Sequence, residues 1–246
     1  MQYTPVVELP WEPDVDALRR YYTENRYNGV DEFGADISAA VLDGAKYLEA
    51  SPEEYWPLSI TTLSEAAVAA QSALDAERGM TWQEHQKTLT ARRRLRAMLK
   101  RNEDYDPAID ERNYTNLLES ARGTYAEEVR TKFLGTPCRT RFTKLGKGEA
   151  IHQHVDSVPE HIVRAIIPVW SNSDCFNGFL RSGEPFELHM EVGKAYVINA
   201  GLPHWAYNHG NSDRLHYIVT LDGPEDLVQG TGREPINTLN RNALKP

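Results

Sequence analysis

Apolar residues recur at helical spacing through the first half of the chain. In the second half they fall into short β-branched and aromatic runs. Thr61 to Glu77 carries apolar residues at Leu63, Ala66, Ala67, Ala70 and Leu74 and stops before Gly79, a C-cap residue. Thr81, with Glu84 three residues on, has the form of a capping box and predicts a helix running to about Asn102. A further helix is expected over roughly Asp110–Phe133, ending at Gly135. Ser51-Pro52-Glu53-Glu54 reads as another helix start: an N-cap, a proline at the first position, then acids facing the dipole. The opening residues, with Pro5, Pro10 and Pro13, read as extended or irregular.

The period changes near residue 135. Arg139–Leu145, Val163–Trp170, Lys194–Asn199 and Leu215–Leu221 read as strands, bounded by Gly, Asn, Asp or Pro. Turn signals recur at Gly146-Lys147-Gly148, Ser171–Asp174, Arg181-Ser182-Gly183 and His209–Asp213. Short strands with no helical pattern between them predict an antiparallel barrel or sandwich. The expected organisation is α+β: a mostly helical region over 1–135, a β core over 136–228 and a surface tail over 229–246.

Charge sharpens this division. The 246 residues carry a net charge of −9. Residues 1–135 hold 16 Lys/Arg against 24 Asp/Glu, and residues 136–246 hold 11 against 12. The acidity argues against nucleic-acid binding, which normally requires a basic footprint. Ala91–Arg101 has six basic residues in eleven, read as the solvated face of a helix within acidic surroundings. No apolar run approaches the roughly 20 residues of a membrane span. The N-terminal residues lack the pattern of a secretory signal. Cys138 and Cys175 are too few for a disulfide scaffold, and free thiols in the cytoplasm are expected.

Seven of the eight histidines follow residue 150. His154 and Asp156 are two apart, so on a strand they would share a face and offer an imidazole and a carboxylate to a divalent metal. His204, opening an apparent strand after Gly201-Leu202-Pro203, is the third candidate. Two His and one carboxylate form the facial triad of non-haem Fe(II) oxygenases. His152 is a rival ligand, as His152-x-His154 could itself chelate. Arg214 lies ten residues after His204, across the His209–Asp213 turn. The two are therefore expected on adjacent antiparallel strands, where the guanidinium could take the far carboxylate of a metal-chelating dicarboxylate.

From about Arg139 to Asp222 the sequence resembles the Fe(II)/2-oxoglutarate-dependent oxygenases, more closely their aspartyl/asparaginyl β-hydroxylase and proline hydroxylase group. The resemblance rests on the Arg139–Leu145 strand with Gly148, His154-x-Asp156, and Arg164-Ala-Ile-Ile-Pro168 followed by Asn172. It continues through Gly193-x-x-Tyr196-x-x-Asn199, Pro203-His204-x-x-Tyr207-Asn208 and Asp213-Arg214-x-His216. Ile166 stands where the group often has His.

The resemblance implies a double-stranded β-helix, or jelly roll. It implies iron on His154, Asp156 and His204, and 2-oxoglutarate on Arg214, with Arg164 facing the co-substrate. His216 is a further candidate for orienting it, and Arg141, His152 and Trp170 are candidates for contacting substrate. The implied reaction consumes O2, converts 2-oxoglutarate to succinate and CO2, and hydroxylates an unactivated C–H. The carboxylate at Asp156 favours hydroxylation over halogenation. The substrate class implied is an amino acid, free or within a peptide or carrier-bound molecule. The acidic half would serve as a lid, a homodimer interface or a docking surface, and its acidity would suit a cationic substrate. The alternative is a non-catalytic jelly-roll sensor retaining a remnant metal site.

Overall fold

The computed structural model describes residues 3–26, 58–227 and 232. Strands β5 (Thr136–Leu145), β7 (Ile162–Trp170), β10 (Tyr196–Ile198) and β12 (Arg214–Asp222) lie in a six-stranded antiparallel sheet. Strands β6 (Ala150–His154), β8 (Cys175–Arg181), β9 (Glu184–Leu188) and β11 (His204–Asn208) form a four-stranded sheet facing it. The chain thus passes repeatedly between two sheets, the topology of a double-stranded β-helix.

Strand periodicity sorts the side chains of the larger sheet. Leu215, Tyr217, Val219 and Leu221 of β12 join Val163, Ala165, Ile167 and Val169 of β7 in the outer core. Helix α1 (Val15–Asn25) seals that face with Leu18, Tyr21 and Tyr22, all buried. Burial of each such side chain contributes about 1.5–3 kcal/mol. The alternate positions Ile166 and Ile218 point between the sheets and meet Phe179, Phe186, Leu188 and Met190. By the same period of two, Arg164, Arg214, His216 and Thr220 also face the interior.

The remaining α-helices among the described residues are α2 (Glu65–Arg78), α3 (Trp82–Thr88), α4 (Ala91–Lys100) and α5 (Tyr125–Glu128). Several differ from expectation. Helix α2 begins after Ser64, whose side chain caps Ala67, because Thr61–Thr62 pairs as strand β3 with β4 (Asn116–Leu117). The helix predicted from Thr81 to Asn102 is two helices. Leu89 is extended and buried, and Thr90 caps α4 by accepting from the Arg93 amide. The long helix expected over Asp110–Phe133 is replaced by short 3-10 turns and α5. There the Asp110 side chain captures the Arg112 amide, and Gly123 takes a left-handed φ of +70°. The helix start at Ser51-Pro52 and most of the 229–246 tail lie outside the described residues.

The larger sheet also extends into the first half of the chain. β1 (Val6–Glu8) pairs with β10 at one edge, and β2 (Leu58–Ser59) pairs with β5 at the other. The sheet therefore crosses the expected 135/136 division.

Candidate metal centre

His154 ends β6 and His204 opens β11, and the two are direct antiparallel partners with ring centroids 4.3 Å apart. Asp156 lies just beyond β6, its amide bonded to the Ala200 carbonyl at 3.0 Å. Its Oδ1 is 3.4 Å from His154 Nε2 and its Oδ2 is 3.6 Å from His204 Nε2. The candidate ligand atoms of the three residues lie within 4.8 Å of one another.

The imidazoles suit a metal. His154 Nδ1 lies 2.7 Å from the His152 carbonyl and His204 Nδ1 lies 2.9 Å from the Leu202 carbonyl. A carbonyl only accepts, so each Nδ1 carries a proton and each Nε2 is the ring nitrogen turned toward Asp156. Burial pushes the Asp156 carboxyl up, but Arg164 and then His204 outweigh it and bring it down to about 2. The Asp156 carboxylate is therefore ionised at neutral pH, between two imidazoles oriented by backbone carbonyls.

A cavity of about 190 Å³ runs from this triad into the β-helix, lined by Arg141, Ile166, Asn177, Arg214 and His216 among others. Arg214 is 5% exposed. Its Nη1 donates to Asn177 Oδ1 at 3.3 Å, its Nε has no partner, and no carboxylate pairs with it among the described residues. Burial lowers its pKa to about 10, the behaviour of a cation lacking its anion. His216 is buried with its Nε2 unpartnered, and desolvation, then Arg214 and His189, keep it neutral.

His204 and Arg214 do not stand on adjacent strands. β11 pairs with β6 and β8 in one sheet, β12 with β5 and β7 in the other, so the two residues face one cavity from opposite sheets. Asn208 fixes the turn between them, donating to the carbonyls of Leu145, Gly146 and Ser212. Asn172 in turn donates to Asn208 Oδ1 at 3.1 Å.

On the solvent side of the triad is a second cavity of about 400 Å³. Its walls include Arg94, Leu95 and Met98 of α4, with His154, Asp156 and Arg164. The basic run read as a purely solvated face thus contributes to the cavity. Glu111 also lines it. Its Oε1 accepts from Arg139 at 3.1 Å and Arg164 at 2.9 Å, and its Oε2 accepts from Thr220. Burial acts to raise its carboxyl, but Arg164, Arg141 and Arg139 hold it well below the carboxylate range. No sequence signal separates Glu111 from the other 23 acids of residues 1–135.

Other candidates lie elsewhere. His152 is exposed and lines neither cavity. Trp170 packs edge-on against Tyr22 at 5.7 Å with Arg19 over its ring. Cys138 and Cys175 are buried free thiols, and burial pushes Cys138 up to about 12. Among the described residues, no helix is long and apolar enough to cross a membrane.

Fold and donor set together define a jelly-roll protein with a His-Asp-His cluster that could hold a metal ion. The chain belongs to the aspartyl/asparaginyl β-hydroxylase family, whose sequence profile matches residues 73–224. The match begins well before Arg139 and so takes in α3, α4 and Glu111. No curated protein matches the sequence. Among solved structures, a 2OG-Fe(II) oxygenase family oxidoreductase from Burkholderia pseudomallei is 15% identical over 47% of this chain and 66% of its own (TM-score 0.35). HygX from Streptomyces hygroscopicus, with nickel and 2-oxoglutarate bound, is 12% identical over 39% and 60% (TM-score 0.31). A Pseudomonas putida prolyl-4-hydroxylase is 20% identical over 35% and 48% (TM-score 0.29). The chain spans about half to two thirds of the length of these structures.

Proposed function

We propose that the protein is an Fe(II)- and 2-oxoglutarate-dependent dioxygenase that hydroxylates an unactivated C–H of an amino-acid-type substrate, releasing succinate and CO2. The observation that carries this reading is one small cavity with the His154-Asp156-His204 set at its mouth and the carboxylate-less Arg214 inside it. Its volume of about 190 Å³ is below the roughly 300 Å³ at which drug-sized sites begin, and suits a five-carbon dicarboxylate.

In this reading His154, Asp156 and His204 hold the iron. When bound, the iron supplies oxygen activation coupled to decarboxylation of the co-substrate. Arg214 binds the distal carboxylate, and Asn177 orients its guanidinium. His216, neutral, keeps a second positive charge out of the pocket while filling the wall beside it. Ile166, Phe179 and Ile218 line the same cavity and exclude water. The substrate occupies the outer cavity, with Leu95, Met98, Ile109 and Ile162 against its aliphatic part and Arg94 at the rim.

The test is anaerobic. Fe(II) with 2-oxoglutarate should give a visible charge-transfer band that disappears in His154→Ala and His204→Ala. Absence of the band in the native protein overturns the reading. A band without succinate release across an amino-acid and cell-extract screen in air would favour the non-catalytic sensor.

A further inference from the structure

Glu111 belongs to the first half of the chain, in the 3-10 turn Glu111–Asn113, yet its carboxylate rests on the interior floor of the jelly roll. Its partners there come from three strands: Arg139 of β5, Arg164 of β7 and Thr220 of β12. Arg141 of β5 is 3.7 Å away. Arg164 faces two ways. Its Nη2 lies 2.9 Å from Glu111 Oε1 and 2.9 Å from Asp156 Oδ2. One guanidinium nitrogen therefore sits between the carboxylate of the helical half and the candidate metal carboxylate.

Asp156 stands just beyond β6, its amide held by the Ala200 carbonyl and its carboxylate set among Arg164, His154 and His204. Of its two oxygens, Oδ2 is taken by Arg164, and Oδ1 remains on the His154 side. We propose that Glu111 is a positioning residue of the metal site, restraining Arg164 so that it anchors Oδ2 of Asp156 and leaves Oδ1 to the ion. This rests on the metal-centre reading above. Without the Glu111 charge, Arg164 is drawn wholly onto Asp156 and competes with the cation for it. Arg139 and Arg141 then also lose a counter-charge beside the site. Both effects act against cation binding. Supporting groups of this kind typically change metal affinity 10- to 100-fold.

Co(II) binding, followed by its visible ligand-field absorption, tests this without turnover. Glu111→Gln should weaken Co(II) binding by roughly 10- to 100-fold and alter the band envelope. Thr220→Val, which removes a donor to Glu111 at nearly constant volume, should act in the same direction and less strongly. The control is Asp106→Asn. Asp106 is buried in the helical half among Gln71, Arg78, His85 and Gln86, none of which lines either cavity. That variant should lose thermal stability and keep native Co(II) affinity.

Native affinity and spectrum in both Glu111→Gln and Thr220→Val overturn the proposal. So does an affinity loss in Asp106→Asn equal to theirs. Should Glu111→Gln not fold, Thr220→Val against Asp106→Asn decides alone. Failure of the native protein to bind Co(II) would instead overturn the metal reading itself.

Discussion

At the scale of single residues, the site is built from charges whose partners are conspicuously unequal. Glu111 has three arginines about it and shares one, Arg164, with Asp156, whereas Arg214 has only the Asn177 amide oxygen. A buried guanidinium without an anion carries a desolvation cost, so Arg214→Met should raise the melting temperature of the ligand-free protein. The gain is on the order of 1–4 kcal/mol. The same substitution should weaken 2-oxoglutarate binding by about 2–5 kcal/mol, read from the co-substrate dependence of the charge-transfer band. A variant that loses stability and keeps co-substrate affinity would contradict the assignment. His216 adds a pH term. Its folded pKa is depressed below 6.5, so its contribution is fully present above 6.5 and is lost as pH falls through that value. The slope is at most about 1.4 kcal/mol per pH unit. His216→Gln should flatten the stability profile between pH 6.5 and 5, measured by denaturant midpoints. His154-x-Asp156 and the ten-residue step from His204 to Arg214 were legible in the sequence as two local patterns, which the fold brings onto one cavity. Glu111 was not, because its contacts lie on strands 28 and 53 residues distant, at Arg139 and Arg164.

At the scale of elements, strand alternation does most of the positioning. The β12 positions that bury Leu215, Tyr217 and Val219 against α1 oblige Arg214 and His216 to face inward. The runs that predicted β7, β10 and β12 were readable because both faces are buried, and β5 because it alternates buried with half-buried residues. β8 and β9 were not, since Gly178, Asn177 and Pro185 dilute their pattern. Gly178 has its own reason: a Cβ there would stand 2.0 Å from the Trp205 indole, beside His204. Gly178→Ala should displace Trp205, shifting the intrinsic tryptophan emission and lowering the melting temperature. An unchanged spectrum and stability would show that the indole is not wedged against the strand. The helical half was misjudged over Asp110–Phe133 because apolar spacing is blind to tertiary strand pairing. Asp110 caps only the single turn Glu111–Asn113, after which Asn116–Leu117 leaves the helix to pair with Thr61–Thr62.

At the scale of the whole molecule, the acidity of the first half is partly spent inside the protein. Asp110 takes Arg112 bidentately and lies 3.6 Å from His161 of the jelly roll. Glu111 takes Arg139, Arg164 and Thr220 beside it. From the other direction, Asp226 accepts from the amides of Leu134 and Gly135, where the two halves join. The attachment of the helical half is therefore carried in part by buried carboxylates that must stay ionised. Burial works against ionisation at Asp110 and Glu111, but their partners outweigh it and hold both below the ordinary carboxylate range. A depressed carboxylate stabilises the fold fully above its unfolded pKa, near 4 to 4.5, and loses that contribution as pH falls toward its folded value. The unfolded chain binds more protons in this window, so stability must rise with pH across it. Thermal melts from pH 6 to pH 3 should show the melting temperature falling steeply below about pH 4.5. Glu111→Gln should start lower at pH 6 and fall less steeply, because it no longer has a proton to take up. A melting temperature flat between pH 5 and 3 would mean that these carboxylates do not hold the halves together. The helical half would then be attached by its apolar contacts alone.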